Sequence, residues 1–322
     1  MELYNADCLE QMPKLQNKSI DLVLVDLPYG QTNCEWDVII DMNLMWNELK
    51  RIGKDNCQFV FFTTTKFGNK LINSNPSWFR YDIVWEKSNV VGFLNANKMP
   101  LRQHEMIYIF SRQGTDDIEL NRNLDNRKYA ESVRKYINLS LKKIATDIGN
   151  LGCTHFLGAY KSSQFGLPTK ETYDKLIELY KIDKMSGFIQ YDELKLEQKK
   201  VIYNPQKTPG KPYKGKEHIN KNKDVYGQKV RAAHENISGD RHPTSILKFN
   251  GEVGFHRTQK PVELCKWLIK TYSNDGDVVL DFTMGSGSTG VACLETNRRF
   301  IGIEKDVEIF KVAKNRLENN NI

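Results

Sequence analysis

The sequence predicts a doubly wound, mostly parallel α/β sheet interrupted by a mainly helical insertion, and three observations carry that prediction. Short apolar runs such as Ser19-Ile-Asp-Leu-Val-Leu-Val-Asp26 have the texture of strands covered on both faces. Helical periodicity separates several of these runs, which is the alternation of a βα sheet. The pattern stops after Arg112 and returns near Lys260, with a stretch of different texture between.

In order, residues 1–25 read as a short strand, a turn, a helix and the start of the buried strand that ends at Asp26. Leu27-Pro28-Tyr29-Gly30 cannot continue a central strand, because proline donates nothing to the ladder. Runs at 58–63, 82–85 and 105–110 are further strands, and 42–52 is a helix. Residues 123–180 are helical in period, and a basic stretch punctuated by Pro and Gly follows to about His242. A helix opened by Pro261 then runs to Tyr272. Strand 278–281, helix 288–296, strand 300–304 and helix 307–318 complete the chain. The expected division is therefore 1–112 and 242–322 as two halves of one α/β domain, with 113–241 inserted between them.

Composition bounds the function. A chain of 322 residues with 39% apolar and 27% charged residues can bury a sizeable core. No run of about 18 apolar residues marks a membrane span. The opening MELYNADCLEQMPKL has neither the basic nor the apolar region of a secretory signal, so a cytoplasmic protein is expected. The six cysteines form no CxxC pair, which argues against a disulfide framework and against a zinc site. Between residues 195 and 241 stand 12 Lys/Arg and 5 Asp/Glu, a surplus that equals the whole chain's +7. A neutral body with a basic strip suits a polyanion, and a solvated linker is the plainer alternative.

Two constellations carry chemistry. In Asp281-Phe282-Thr-Met-Gly285-Ser-Gly287-Ser288-Thr289-Gly290, an acid ends a strand, glycines let backbone approach a ligand, and a helix N-terminus follows. The next strand ends in Glu304, where a carboxylate can take a ribose hydroxyl pair. Neither the GxGxxG spacing of a nicotinamide fold nor a Walker lysine is present. The second constellation, Asp26-Leu27-Pro28-Tyr29, sets an acid, a backbone carbonyl and an aromatic face at a strand's C-terminal edge. Two acceptors on a nucleobase amino group would favour a more tetrahedral, nucleophilic nitrogen, and a tyrosine could stack on a base swung out of the duplex.

Together these motifs resemble the DNA amino-methyltransferases, adenine-N6 and cytosine-N4 type, in the circularly permuted order of the β group. The resemblance implies a Rossmann-like methyltransferase sheet, S-adenosylmethionine as cofactor, no metal, and double-stranded DNA as substrate with adenine N6 the favoured target. It makes Asp26, Leu27, Pro28 and Tyr29 the catalytic motif, with Asp26 and the Leu27 carbonyl on the amino group and Tyr29 stacked on the base. The cofactor falls to Asp7 in Asn5-Ala-Asp7, His256 and Lys260 in His256-Arg-Thr-Gln-Lys260-Pro, and Asp281, Phe282, Gly285, Gly287, Ser288, Thr289 and Glu304. Trp85-Glu-Lys87 and His104-Glu105 resemble the strand pair that lines the base pocket. Leu27 departs from the family's usual proline, yet it keeps the carbonyl and is held extended by Pro28.

Target choice is expected in the insertion. Residues 139–149 and 165–180 resemble parts of a repressor-type helix-turn-helix, which would put 151–160 in a major groove, and a helical packing insert is the alternative. Lys207, Lys211, Lys214, Lys216, Lys221 and Lys223 are the candidate phosphate contacts. Partnership with a second copy, or alongside a separately acting restriction endonuclease, stays open. The alternatives are cytosine-N4 methylation, methylation of RNA or of a protein glutamine, and a catalytically weak DNA-binding regulator.

Overall fold

The computed structural model describes residues 1–30, 38–112, 124–149, 151–162, 164–194, 201–214, 218–219, 230–231, 235–252, 254 and 259–319. Eight strands form its main sheet: β1 (Glu2–Asn5), β2 (Ile20–Asp26), β3 (Gly53–Thr63), β4 (Phe79–Val91), β5 (Arg102–Ser111), β6 (Ile246–Lys248), β7 (Val278–Asp281) and β8 (Arg299–Glu304). They lie in the order β1-β8-β7-β2-β3-β5-β4-β6. All neighbours are parallel except β5, which runs antiparallel to β3 and β4. The chain leaves β2 towards one edge and β7 towards the other, so the sheet reverses its winding between these two strands. In open α/β sheets that is where ligands bind, beyond the strands' carboxyl ends.

The apolar runs behave as strands buried on two faces. In β2, Val23 and Val25 join one core, while Leu22 and Leu24 join the other. The first core is closed by α2 (Met42–Ile52) and α3 (Thr65–Ser74), through Met45, Trp46, Phe67 and Leu71. The second is closed by α9 (Val262–Tyr272), α10 (Ser288–Glu295) and α11 (Val307–Asn319), through Leu264, Leu268, Val291 and Ala313. Period-two alternation therefore sorts one strand's side chains between two helical layers.

Two details differ from the sequence reading. The run at 82–85 marks only the buried middle of a strand that spans Phe79–Val91, because its ends are polar and partly exposed. Pro261 is the N-cap of α9 rather than its first helical residue.

Between the halves, α4 (Leu124–Ile137), α5 (Leu141–Ile148), α6 (Gly152–Leu157), α7 (Lys170–Tyr180) and α8 (Tyr191–Leu194) build a third core. Val133, Ile144, Phe156, Tyr173 and Leu176 are its centre. Ser140 caps α5 through a hydrogen bond accepted from Lys143 N, and Gly149 closes it in the left-handed region. The expected groove-reading stretch 151–160 contains only the six-residue α6, whose Cys153, Phe156 and Leu157 face this core. In the basic segment, Thr208 bridges Arg241, and Tyr213–Lys214 pairs with Glu235–Asn236. Among the described residues no helix is long and apolar enough to cross a membrane.

Candidate active site

The carboxyl ends of β1, β8, β7 and β2 bring Asp7, Glu304, Asp281 and Asp26 to one edge of the sheet. All four line a single cavity of about 490 Å³. Leu27, Pro28, Lys260, Phe282, Gly285, Ser288 and Thr289 line it as well. Two motifs 255 positions apart in the chain (Asp26 and Asp281) thus open on one space.

At one end lies the Gly-rich turn. Gly285 and Gly287 have φ of +50° and +81°, a region that L side chains rarely adopt. A Cβ on Gly287 would meet Leu317 at 3.3 Å, whereas one on Gly285 would meet nothing within 4 Å. Gly285 therefore keeps a strip of bare backbone against the cavity. Its N–H donates to Glu304 Oε2 at 3.0 Å, and Asp306 N donates to Oε1 at 2.8 Å. Burial raises the pKa of Glu304. Burial also pushes Asp281 up to about 7, against hydrogen bonds from the Thr289 side chain and Thr283 N. Asp7 caps α1 (Cys8–Gln11) through Leu9 N at 2.9 Å and pairs with Lys305 at 3.0 Å. Partial burial acts to raise its pKa, but these partners outweigh it and hold the carboxyl below its usual range.

The other end is built around Asp26. Tyr29 OH donates to its Oδ1 at 2.5 Å, and Lys260 Nζ donates to its Oδ2. Tyr29 does not line the cavity, and its ring packs on Phe67 with centroids 5.1 Å apart. Burial first, then the charges of Asp26 and Glu105, lift the Tyr29 pKa well above that of a free phenol. Leu27 buries its side chain in the core, leaving the residue to meet the cavity at its wall. Thr283 joins the two ends: its hydroxyl donates to Asp26 O at 2.9 Å and its N–H to Asp281 Oδ1 at 3.2 Å.

The sequence reading placed Lys260 with the cofactor residues, but its ammonium is paired at the Asp26 end. It lies 3.6 Å from Glu105 Oε2 and 5.3 Å from the centroid of the Phe62 ring. Lys87 pairs with Glu105 through Oε1. His256 lies outside the described residues, as do Lys216, Lys221 and Lys223. Lys207, Lys211 and Lys214 do not line the cavity, and Lys214 is exposed and paired with Glu235 at 3.2 Å.

Residues 20–315 match the family model described as DNA methylase, which groups the N6 and N4 enzymes. The chain belongs to this family. Local similarity to curated members is high. It is 46% identical over 68 residues to the type II methyltransferase M2.DpnII of Streptococcus pneumoniae, covering 21% of this chain and 25% of that one. Over 94 residues it is 43% identical to the type II methyltransferase M.HindIII of Haemophilus influenzae, covering 27% and 30%. The DNA adenine methyltransferase YhdJ of Escherichia coli is 46% identical over 63 residues, covering 20% and 21%. The matches thus span less than a third of these methylases' length. Two solved structures share the fold over nearly the whole chain. The M1.HpyAVI–SAM complex matches with TM-score 0.50 and 18% identity, covering 98% of this chain and 99% of that one. The cytosine-N4-specific PvuII DNA methyltransferase matches with TM-score 0.51 and 13% identity, covering 99% and 87%.

Proposed function

We propose that this methylase transfers a methyl group from S-adenosylmethionine to an exocyclic amino group of a base flipped out of duplex DNA, with adenine N6 the target. The observation that carries the reading is the single cavity on which both motifs open, with Thr283 bonded to each.

S-adenosylmethionine fits the Gly-rich end. Gly285 leaves room where any Cβ would intrude, and Glu304 keeps lone-pair capacity beyond its backbone donors Gly285, Asp306 and Lys305. Asp7, Asp281, Phe282, Ser288 and Thr289 complete that wall, while Gly287 does not line the cavity and packs against Leu317 and Ala313. When bound there, the cofactor supplies a methyl on a positively charged sulfur.

The chain's own residues then prepare the nucleophile. An aromatic amino group is weakly nucleophilic because its lone pair is delocalised into the ring. Asp26 and the Leu27 carbonyl accept its two hydrogens and favour a pyramidal nitrogen whose lone pair faces the methyl. On accepting the methyl, the amino nitrogen would give up one of its two protons, and the Asp26 carboxylate that accepts that N–H would be the nearest base to receive it. Tyr29 holds Asp26 through Oδ1, and its raised pKa keeps it a donor at neutral pH. The helical region and Lys207, Lys211 and Lys214 supply DNA contacts in this reading, with target choice in residues 113–241.

Incubation with methyl-labelled S-adenosylmethionine and duplex DNA, followed by nucleoside mass spectrometry, tests this. N6-methyladenine is expected. Label on N4 of cytosine selects the second reading, which the family model also covers, and absence of label on DNA overturns both.

A further inference from the structure

In this structure the carboxylate assigned to the target amino group is already engaged. Asp26 receives Tyr29 OH on Oδ1 and the Lys260 ammonium on Oδ2. An incoming N–H therefore shares the carboxylate with a donor on each oxygen, and gains its full acceptor strength only if one of them leaves. Tyr29 is held by its own chain three residues away and adds no charge to the exchange. Lys260 comes from the far end of the sequence, 234 positions on.

An ammonium cannot simply withdraw from this place. The Lys260 side chain is 11% exposed, and an ion buried to that extent is strongly destabilising when left without a partner. It needs a second carboxylate, and one is waiting. Glu105 is four-fifths buried, and its Oε1 belongs to Lys87. Its Oε2 is closed off from solvent and, among the described residues, receives no hydrogen bond. That oxygen lies 3.6 Å from Lys260 Nζ. A shift of about 0.8 Å would bring the pair to the ~2.8 Å of a charge-assisted hydrogen bond.

We propose that Lys260 occupies Asp26 until a target amino group arrives, and that Glu105 is the berth to which it then moves. The idea rests on the reading of Asp26 as the amino-group acceptor. The exchange leaves the net charge of the cluster unchanged: both lysines then sit on Glu105, one on each oxygen, and Asp26 holds the neutral amino group. Burial alone would lower Lys260 and raise Glu105, but the charges of Asp26 and then Glu105 outweigh it for Lys260, and those of Lys260 and Lys87 outweigh it for Glu105, so both stay ionised at neutral pH. Glu105 is a positioning residue, acting through Lys260.

The test measures how much the enzyme gains from the amino group itself. The methylated site is first mapped in DNA from expressing cells. Affinity is then measured, with S-adenosylhomocysteine present, for that duplex and for one whose target base lacks the exocyclic amino group. Wild type should prefer the amino-bearing duplex. In Glu105→Gln that preference should fall by roughly tenfold, about 1.4 kcal/mol, while affinity for the amino-less duplex stays put. Lys260→Met should keep the preference, and Lys260→Met/Glu105→Gln should behave like Lys260→Met. Lys260→Arg, whose fork can hold both carboxylates, should lose it without touching Glu105, so the idea remains testable if Glu105→Gln does not fold. An unchanged preference in Glu105→Gln, or an equal loss in the double variant, overturns the proposal. No methylated base in the cells, or full turnover by Asp26→Ala, overturns the parent reading and this one with it.

Discussion

Strand β2 buries six of its seven residues, whereas helix α7 buries three of eleven, Thr172, Tyr173 and Leu176. A strand covered on both faces depends on its neighbours and on two layers of helices. A helix with one buried stripe needs only the few helices around it. The region between the halves has closed such a core on itself, while the site edge draws on residues from both ends of the chain. The two regions should therefore fail separately.

The largest effect expected is in the helical core. Phe156 is fully buried against the rings of Tyr129, Phe165 and Tyr173. Phe156→Ala should cost about 3–5 kcal/mol there. Hydrogen exchange should rise in α4 to α7, and DNA affinity should drop, with S-adenosylmethionine affinity unchanged by calorimetry. Joint loss of cofactor binding would show the two regions to be one cooperative unit.

Next comes Asp26→Ala. Removing a preorganised acceptor should cost about 3 kcal/mol or more of barrier. The fold should survive, because Lys260 is left with Glu105. Single-turnover methyl transfer should fall by about two orders of magnitude while cofactor affinity holds. Near wild-type turnover would mean that another group receives the amino hydrogens.

At the opposite end of the cavity, Gly285→Asp should weaken S-adenosylmethionine binding by roughly a hundredfold and shift stability by about 1 kcal/mol. A Cβ there meets no protein atom, so the loss would come from the ligand's space and charge. Unchanged affinity in a folded variant would remove the cofactor from this turn.

These effects divide what the sequence made legible from what it did not. Continuous apolar runs at 20–26 and 278–281, each ending in an acid, announced the two central strands and the site edge, because a strand buried twice has no polar face to confuse its reading. Leu27-Pro28 and the glycines then fixed where each strand stops. The pairing of Asp26 with Lys260 was not legible, since nothing in either segment says which partner lies across the sheet. Thr283 looks in the sequence like one more residue in a turn, although its hydroxyl ties the two motifs together. A hint existed for Glu105: a carboxylate leading directly into an apolar strand must be paired or cost stability.

A further effect, on stability alone, concerns pH. Burial raises Asp281 to about 7 from an ordinary 3.8, so the folded state holds its proton more tightly than the unfolded chain does. The stability this gives is full below the unfolded value and is lost as pH rises through 7. Asp281→Asn, which carries no charge to bury, should therefore gain on wild type as pH climbs from about 4 to about 7, by roughly 2–4 kcal/mol, and level off above. Thermal melts of both proteins across pH 4–9 read the difference directly. A constant gap would mean that the carboxyl ionises without penalty.

The smallest effect belongs to the basic segment, where the contrast between the regions is sharpest. Lys207, Lys211 and Lys214 lie in backbone held by the Thr208–Arg241 bridge and the 213–214/235–236 pairing, away from every buried core. Removing one lysine–phosphate ion pair should make the logarithmic salt dependence of DNA binding shallower by about 0.9. Lys214 already faces Glu235 at 3.2 Å, so it must exchange a carboxylate for a phosphate. Neutralising Lys207 and Lys211 should therefore move the slope more per residue than neutralising Lys214, and Glu235→Gln should steepen it. Sequence preference should stay as it was, because phosphate contacts position a protein while base contacts specify. Titrations at several salt concentrations, on target and non-target duplexes, measure both quantities together. A slope indifferent to all three lysines leaves the segment as a connector, and the DNA contacts must then lie on the helices.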